Sequence, residues 1–132
     1  MQELRSALRI ICRIMFRLKT SKKFGEIEKG IIDTGAPISV IPFQMWEDAD
    51  IEIIGKDKLR GIIPNEKCRL PVNVGKAKCI LIDIFGNMST EIEILAFLAH
   101  TNKIPLLIGM KRLLESGKMW LDAPNKTGYI EI

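Results

Sequence analysis

Aromatic residues and histidine are scarce in this sequence of 132 residues. Aromatic side chains make up 6% of the chain, so a folded core must be mainly aliphatic. Isoleucine is common, and because β-branched residues favour strands, this predicts a mostly β chain. His100 is the single histidine, which argues against Ser/His or Cys/His catalysis and against a histidine-rich metal site.

Long hydrophobic runs are also lacking. A membrane-spanning helix needs about 20 consecutive apolar residues. The nearest candidate, residues 8–18, is interrupted by three arginines, and it does not have the charge-then-apolar order of a signal peptide. We therefore expect no membrane span.

The cysteines form no recognisable motif. Their spacings match neither a metal site nor a redox pair, and an odd number without a secretion signal indicates reduced thiols. We therefore predict a cytoplasmic protein without a bound metal. The cysteines are Cys12, Cys68 and Cys79.

Acidic residues are rare near the N-terminus, and the chain as a whole has a net charge of +4. We interpret residues 1–11 as an N-terminal arm or short helix and residues 12–132 as one domain. A basic segment is usually a solvated face, although it can attract nucleic acid or a lipid surface. Because no aromatic residues interleave with it as base-stacking platforms, we predict no nucleic-acid partner.

Alternating apolar residues and turn signals predict a series of short strands. The predicted strands span residues 12–20, 24–32, 38–41, 51–54, 78–85 and 89–98. A polar-tipped hairpin is expected over residues 56–74, and a second hairpin turns at Gly86-Asn87. The composition of residues 110–116 predicts one late helix, with Gly117 at its C-terminal cap.

One acidic turn, Asp-Thr-Gly-Ala at residues 33–36, directly follows an apolar strand. We expect the carboxylate of Asp33 to be partly desolvated at the strand end, while Gly35 permits close approach of another chain and Thr34 supplies a hydroxyl. Two carboxylates about 3 Å apart cannot both ionise, so such a pair shares a proton and can act as acid and base. Because the turn occurs once in a short chain, the second carboxylate is expected from a second copy.

Two segments carry a resemblance to a known family. Residues 31–36, with Val-Ile-Pro at residues 40–42 beyond them, resemble the active-site segment of retropepsins, the single-domain aspartic proteases of retroviruses and their cellular relatives. Pro-Leu-Leu-Ile-Gly at residues 105–109 is similar to the late apolar-apolar-Gly segment of that family. The two segments have the family's order and roughly its separation, and the resemblance covers residues 12–132.

The resemblance implies a mostly β, small closed β-barrel-like retropepsin fold with one C-terminal helix, active as a homodimer. It implies hydrolysis of a peptide or protein substrate without a cofactor. Asp33 would be the catalytic carboxylate, and Thr34 would bond to the partner subunit. Gly35 and Ala36 would shape the floor of the cleft.

The resemblance also implies two elements around that cleft. The hairpin at residues 56–74 would be a flap over the substrate, with Gly61 and Ile62 as its substrate-facing part. Three residues would pack behind the active-site loop and support it. These are Leu107, Ile108 and Gly109.

Several positions depart from the viral pattern. The flap has few glycines, Pro37 and Ile38 replace acidic residues that commonly follow the turn, and Met110 stands where viral members often have arginine. These differences favour a cellular or prokaryotic relative over a viral enzyme.

Other interpretations stay open at the level of sequence. Asp33 can be an ordinary aspartate-initiated turn between two strands. A retropepsin-like dimer can be catalytically silent and act as a binding or assembly module. A basic β domain can bind nucleic acid or a membrane surface through its N-terminal arginines. Asp83, alone among apolar neighbours, is expected on the outward face of a strand.

Overall fold

The computed structural model of the protein describes residues 10–59 and 70–132. These residues form short strands joined by turns, with a single turn of α-helix, α1, at Phe43–Trp46 and a 3₁₀ helix at Leu114–Ser116. The strands are β1 Ile11–Phe16, β2 Glu28–Ile32, β3 Ser39–Ile41, β4 Ile51–Leu59, β5 Leu70–Ile82, β6 Ile92–Ala99, β7 Leu107–Ile108, β8 Lys118–Asp122 and β9 Thr127–Glu131.

Six strands close into a barrel. Their order is β1-β2-β7-β3-β6-β5, and β5 pairs with β1 to complete the ring. The β2–β7 and β3–β6 pairs are parallel, and the other pairs of the ring are antiparallel. β4 lies outside the ring, antiparallel to β5. The prediction of a mostly β chain with a closed barrel is confirmed.

The barrel interior is aliphatic, as the scarcity of aromatic residues predicts. In β6, alternate residues Ile94, Ala96 and Leu98 have no exposed surface, which is the period-two pattern of a strand with one face inward. Ile14 of β1 and Ile108 of β7 meet them in the same cluster. Burial of these side chains stabilises the barrel by about 1.5–3 kcal/mol for each large aliphatic residue.

The C-terminal segment differs from its prediction. Instead of a helix over residues 110–116, the chain makes turns and then the three-residue 3₁₀ helix. Arg112 adopts a left-handed backbone with φ of 61°, which interrupts any helical repeat. Gly117 follows the 3₁₀ helix in an extended conformation. A Cβ there would lie 2.4 Å from the carbonyl oxygen of Glu131, so glycine is needed for close packing.

Both predicted hairpins correspond to paired strands. Lys56 to Leu59 of β4 pair with Leu70 to Asn73 of β5, while the tip between them lies outside the described residues. β5 and β6 form the second hairpin, although β5 begins well before the predicted strand and ends at Ile82. Among the described residues, no helix is long and apolar enough to cross a membrane.

Candidate active site

Asp33 lies directly after β2, at the point where the chain leaves the barrel wall. Its backbone N–H donates a hydrogen bond of 2.9 Å to the carbonyl of Ile108 in the neighbouring strand β7. Asp33 is half-buried, whereas Thr34 and Gly35 are exposed. The local sequence therefore holds the aspartate backbone in the sheet and leaves the next two residues at the surface.

The carboxylate of Asp33 is only partly used by its own turn. Its Oδ1 accepts a hydrogen bond of 3.0 Å from the backbone N–H of Gly35, and its carbonyl accepts one of 3.1 Å from the N–H of Ala36. Among the described residues, no donor contacts Oδ2. One carboxylate oxygen is thus oriented by the turn.

The segment around β7 supports the turn from behind. Met110 N–H donates to the carbonyl of Ala36, and Lys111 N–H donates to the carbonyl of Pro37, each at 2.9 Å. Gly109 is buried between them. An added Cβ at Gly109 would lie 2.6 Å from the carbonyl carbon of Ile38 and 2.8 Å from the carbonyl oxygen of Ala36. Only glycine allows the two segments to approach this closely.

The side chain of Ser39 adds a further connection that sequence reasoning missed. Ser39 is fully buried, and its Oγ accepts a hydrogen bond of 2.9 Å from the backbone N–H of Gly109. It is the single buried polar residue in the part of the chain that is described. The available signal was a lone hydroxyl residue within the apolar run at residues 37–42, because a buried polar side chain needs a partner.

The structure therefore brings the two resembling segments together. Asp33, Thr34, Gly35 and Ala36 form the turn, and Leu107, Ile108 and Gly109 lie in and after the strand that contacts it. Gly61 and Ile62, the predicted substrate-facing residues of the flap, lie outside the described residues. The base of that hairpin is present as β4 and β5.

A second aspartate, Asp83, occupies a different setting from the strand face predicted for it. It follows β5 and begins the turn that leads back toward β6. Its Oδ1 accepts 2.8 Å hydrogen bonds from the N–H groups of Phe85 and Asn87, and its Oδ2 accepts one of 2.9 Å from Asn87 Nδ2. The Asn87 side chain and these backbone donors lower the pKa of the Asp83 carboxyl. Both oxygens of its carboxylate therefore accept hydrogen bonds within the turn.

The two cysteines among the described residues, Cys12 and Cys79, are poor candidates for a nucleophile. Burial raises the pKa of the Cys12 thiol to about 11 and that of the Cys79 thiol to about 12. Both thiols are therefore protonated at neutral pH, which removes the reactive thiolate form. Within residues 10–59 and 70–132, no group of three or more histidine, cysteine or acidic side chains is placed to hold a metal ion.

No protein-family model matches this chain, and no curated protein matches it either. The resemblance to retropepsins therefore rests on the two sequence segments alone.

Proposed function

We propose that this protein is an aspartic endopeptidase of retropepsin type, active as a homodimer. One Asp33 from each subunit forms the catalytic pair. The observation that carries the proposal is the state of the Asp33 carboxylate. It follows a barrel strand, one oxygen is oriented by Gly35, and the other oxygen has no donor among the described residues.

The support of the Asp33 turn agrees with this role. A general acid or base must be held within a fraction of an ångström of its productive position. Backbone hydrogen bonds from Asp33, Met110 and Lys111, together with the buried Ser39 contact, fix the turn to the barrel. An ordinary surface turn does not need such support from a second, distant segment.

The proposed chemistry needs two carboxylates and a water molecule. The ionised carboxylate takes a proton from water as the water oxygen attacks the carbonyl carbon of the substrate. The protonated carboxyl donates its proton to the carbonyl oxygen, which gives a tetrahedral diol. The first carboxyl, now protonated, then donates its proton to the amide nitrogen, while the second, now ionised, takes a proton from one hydroxyl of the diol. The carbon–nitrogen bond breaks and leaves a carboxylic acid and an amine. Each proton taken from one group is returned to another, so the pair is regenerated.

The second subunit has two tasks in this proposal. It supplies the second carboxylate, since one chain contains one such turn, and its Thr34 hydroxyl can bond across the two-fold axis. The hairpin built on β4 and β5 closes over the bound peptide. Its residues Gly61 and Ile62 are the proposed contacts to the substrate backbone.

The test combines peptide hydrolysis with molar mass. We expect the purified full chain to be dimeric in sedimentation and to cleave members of a peptide library, with a maximum on the acid side of neutral set by the coupled pair. Asp33→Asn should remain dimeric and folded but lose hydrolysis. Equal hydrolysis by Asp33→Asn, or a strictly monomeric chain at high concentration, would overturn the proposal.

A second candidate is a dimer of the same architecture that binds peptides without cleaving them. An intact Asp-Thr-Gly turn at residues 33–35 supports this candidate as well as it supports catalysis, because the turn gives a capacity for hydrolysis and not its use. A dimeric wild-type chain that binds library peptides equally well as Asp33→Asn, and cleaves none, would establish this binding role in place of catalysis.

A further inference from the structure

The outer strand β4 has a free edge. It pairs with β5 on one side, and no other strand among the described residues lies along its second side. Every strand of the ring, in contrast, is paired on both sides. A free edge presents a row of backbone N–H and C=O groups that can pair with an additional strand. The seven-stranded sheet can therefore accept an extended peptide beside β4.

The last part of β4 carries three charges of alternating sign. Lys56, Asp57 and Lys58 are all exposed. Successive side chains of a strand point to opposite faces of the sheet. In the register with β5, Asp57 is opposite the buried Val72, whereas Lys56 is opposite the half-buried Asn73. The two lysines therefore share one face of the sheet, and Asp57 lies on the other face.

These charges are not neutralised by neighbouring side chains. Neither Lys56 nor Lys58 forms a salt bridge within the part of the chain that is described. Asp57 contacts its own backbone, since its Oδ1 accepts a hydrogen bond of 2.7 Å from the N–H of Lys58. All three side chains can therefore form ion pairs with the side chains of an added strand.

Space is open on the lysine face of β4. A concavity of about 510 Å³ is lined by β4, by β5 and by the residue that follows β6. Lys56, Lys58 and His100 are among its lining residues. The ring of His100 packs edge-on against Trp46 of α1, with 5.8 Å between the ring centroids. Because β4 is the edge strand, acidic side chains of an added strand can reach the two lysine ammonium groups from this concavity.

The order of charges disfavours a second copy of this chain as the added strand. If β4 paired with itself antiparallel about Asp57, or parallel in register, lysine would face lysine and Asp57 would face Asp57. Like charges directly opposite each other destabilise a strand pair. The antiparallel register that joins Glu52 to Lys56 of another copy is centred on Ile54, inside the bulge that interrupts the β4 ladder. Self-pairing of β4 is therefore unfavourable.

A strand with the opposite order of charges suits the same edge. The three charges of residues 56–58 read the same in both directions. An acidic, a basic and an acidic residue in sequence therefore meet opposite charges at all three positions, in a parallel or an antiparallel pairing. Opposite-charge pairs across strands stabilise a sheet, while main-chain hydrogen bonds supply affinity when a peptide adds to an edge.

We propose that β4 binds an extended peptide segment with the charge order acidic, basic, acidic, as an additional strand along residues 56–58. The same three charges that disfavour pairing between copies favour this partner, which gives the edge its specificity. The inference does not use Asp33 and goes beyond the proposed function.

The test uses the full chain and short fluorescent peptides with identical β-branched flanks. Their central residues are Glu-Lys-Glu, the reordered Glu-Glu-Lys or the charge-reversed Lys-Glu-Lys. Binding is measured by fluorescence anisotropy with the wild type and with Asp33→Asn, so that cleavage cannot affect the result. We expect both chains to bind the Glu-Lys-Glu peptide about tenfold or more tightly than either of the other two peptides.

A double charge reversal tests the assignment to β4. Lys56→Glu combined with Lys58→Glu should weaken binding of the Glu-Lys-Glu peptide by about tenfold or more, and should make Lys-Glu-Lys the preferred peptide. The matched control combines Lys29→Glu with Lys126→Glu, which makes the same change in net charge at exposed lysines outside β4. The control should bind as the wild type does, and circular dichroism checks that both double variants are folded.

Methylation of the peptide backbone separates strand addition from simple charge attraction. Alternate N–H groups of an added edge strand face β4 or face away from it. Glu-Lys-Glu peptides methylated at alternate nitrogens should therefore lose binding in one series and keep it in the other. Equal binding of the two methylated series would overturn the inference.

Other results would overturn the inference independently of catalysis. These are no binding by the wild type, equal binding of the Glu-Lys-Glu and Glu-Glu-Lys peptides, or equal weakening in the two double variants. A change in the molar mass of the Lys56→Glu, Lys58→Glu variant would identify a second copy as the occupant and would also overturn it. A wild type that binds the peptide at β4 but hydrolyses no library peptide would overturn the proposed function alone.

Discussion

Two aspartates end strands in this molecule, and their carboxylates are used in opposite ways. Asp83 accepts three hydrogen bonds from its own turn, including two from Asn87. Asp33 accepts one, from Gly35, and its turn is instead held by backbone bonds to a segment far along the chain. In the Asp83 turn, which is stabilised by its own residues, both carboxylate oxygens accept hydrogen bonds. Where the barrel stabilises the turn, one carboxylate oxygen has no donor among the described residues.

The largest expected effect comes from exchanging each carboxylate for an amide. Asp33→Asn should lower kcat by about 10²–10⁴-fold or more, because one acid–base partner is lost, while the unfolding midpoint stays near that of the wild type. Asp83→Asn should do the reverse, with lower stability and unchanged kcat. Peptide hydrolysis and urea unfolding of both variants make the measurement. If Asp33→Asn and Asp83→Asn both lose activity and both keep the wild-type stability, the two aspartates do not differ in the way described.

The support behind Asp33 can be tested at Gly109. Gly109→Ala places a methyl group against the backbone of Ala36 and Ile38, which cannot move aside cheaply. We expect a loss of about 1–3 kcal/mol in unfolding free energy together with lower hydrolysis. Gly55→Ala is the matched control, since a Cβ there meets nothing within 4 Å. Equal effects at both glycines would show that the Asp33 turn does not depend on close packing.

Ser39 offers a smaller and more selective perturbation. Ser39→Ala leaves the buried N–H of Gly109 without its acceptor, at a cost of about 1–3 kcal/mol. If Ser39 positions the Asp33 turn, kcat should fall by about tenfold while KM changes little. Ser89→Ala removes a comparable acceptor from Leu81 N–H, on the far side of the Asp83 turn. The Ser89→Ala control should lose stability while its kcat stays at the wild-type value. A fall in the kcat of Ser89→Ala would argue against the view that Ser39 acts by positioning the Asp33 turn.

The smallest expected effect is the pH dependence of the Asp83 turn. Its pKa is lowered in the folded state, first by the Asn87 side chain. The folded state therefore binds fewer protons than the unfolded state near the ordinary carboxyl value of 3.8, and the added stability is present above that value. It is lost as pH falls through the lowered pKa. Urea unfolding between about pH 6 and pH 2.5 should show a steeper loss for the wild type than for Asp83→Asn.

A matched variant controls for the general effect of acid on the stability of the protein. Asp48→Asn removes a carboxylate that accepts no side-chain hydrogen bond among the described residues. Its unfolding should follow the wild-type pH dependence. If Asp48→Asn and Asp83→Asn both alter the pH dependence of unfolding in the same way, the Asp83 turn is not the cause of that dependence.

The fold was predictable where short-range signals agree. Apolar alternation and the Gly86 turn identified the β5–β6 hairpin, and the apolar run before Asp33 located β2. The segment after β7 was not predictable, because the left-handed backbone of Arg112 carries no glycine or asparagine signal. Its N–H bonds instead to the nearby Glu115 Oε1, and its guanidinium lies 3.3 Å from Glu93 in β6, so side-chain contacts take the place of the helical hydrogen bonds.

The local geometry around Asp33 was predictable to a similar degree. The residue types at positions 33–36 signal a turn with an available carboxylate, and the segment at 107–109 signals close packing through its glycine. The partnership of Ser39 with Gly109 was not evident, since it joins residues 70 positions apart. The role of Asp83 was missed because alternation does not show where a strand ends and a turn begins.

The closing pair of the barrel has a consequence for how the chain folds. β1 meets β5 through pairs such as Met15 with Ile80 and Phe16 with Cys79, which are distant in sequence. Parallel pairs such as Ile32 with Ile108 add to this separation. Chains dominated by such non-local pairing fold in milliseconds to seconds, because loop-closure entropy is lost before the contacts form. Until β5 reaches β1, both strands present open edges, so the concentration at which the newly made chain folds will decide whether it closes on itself or pairs with a neighbour.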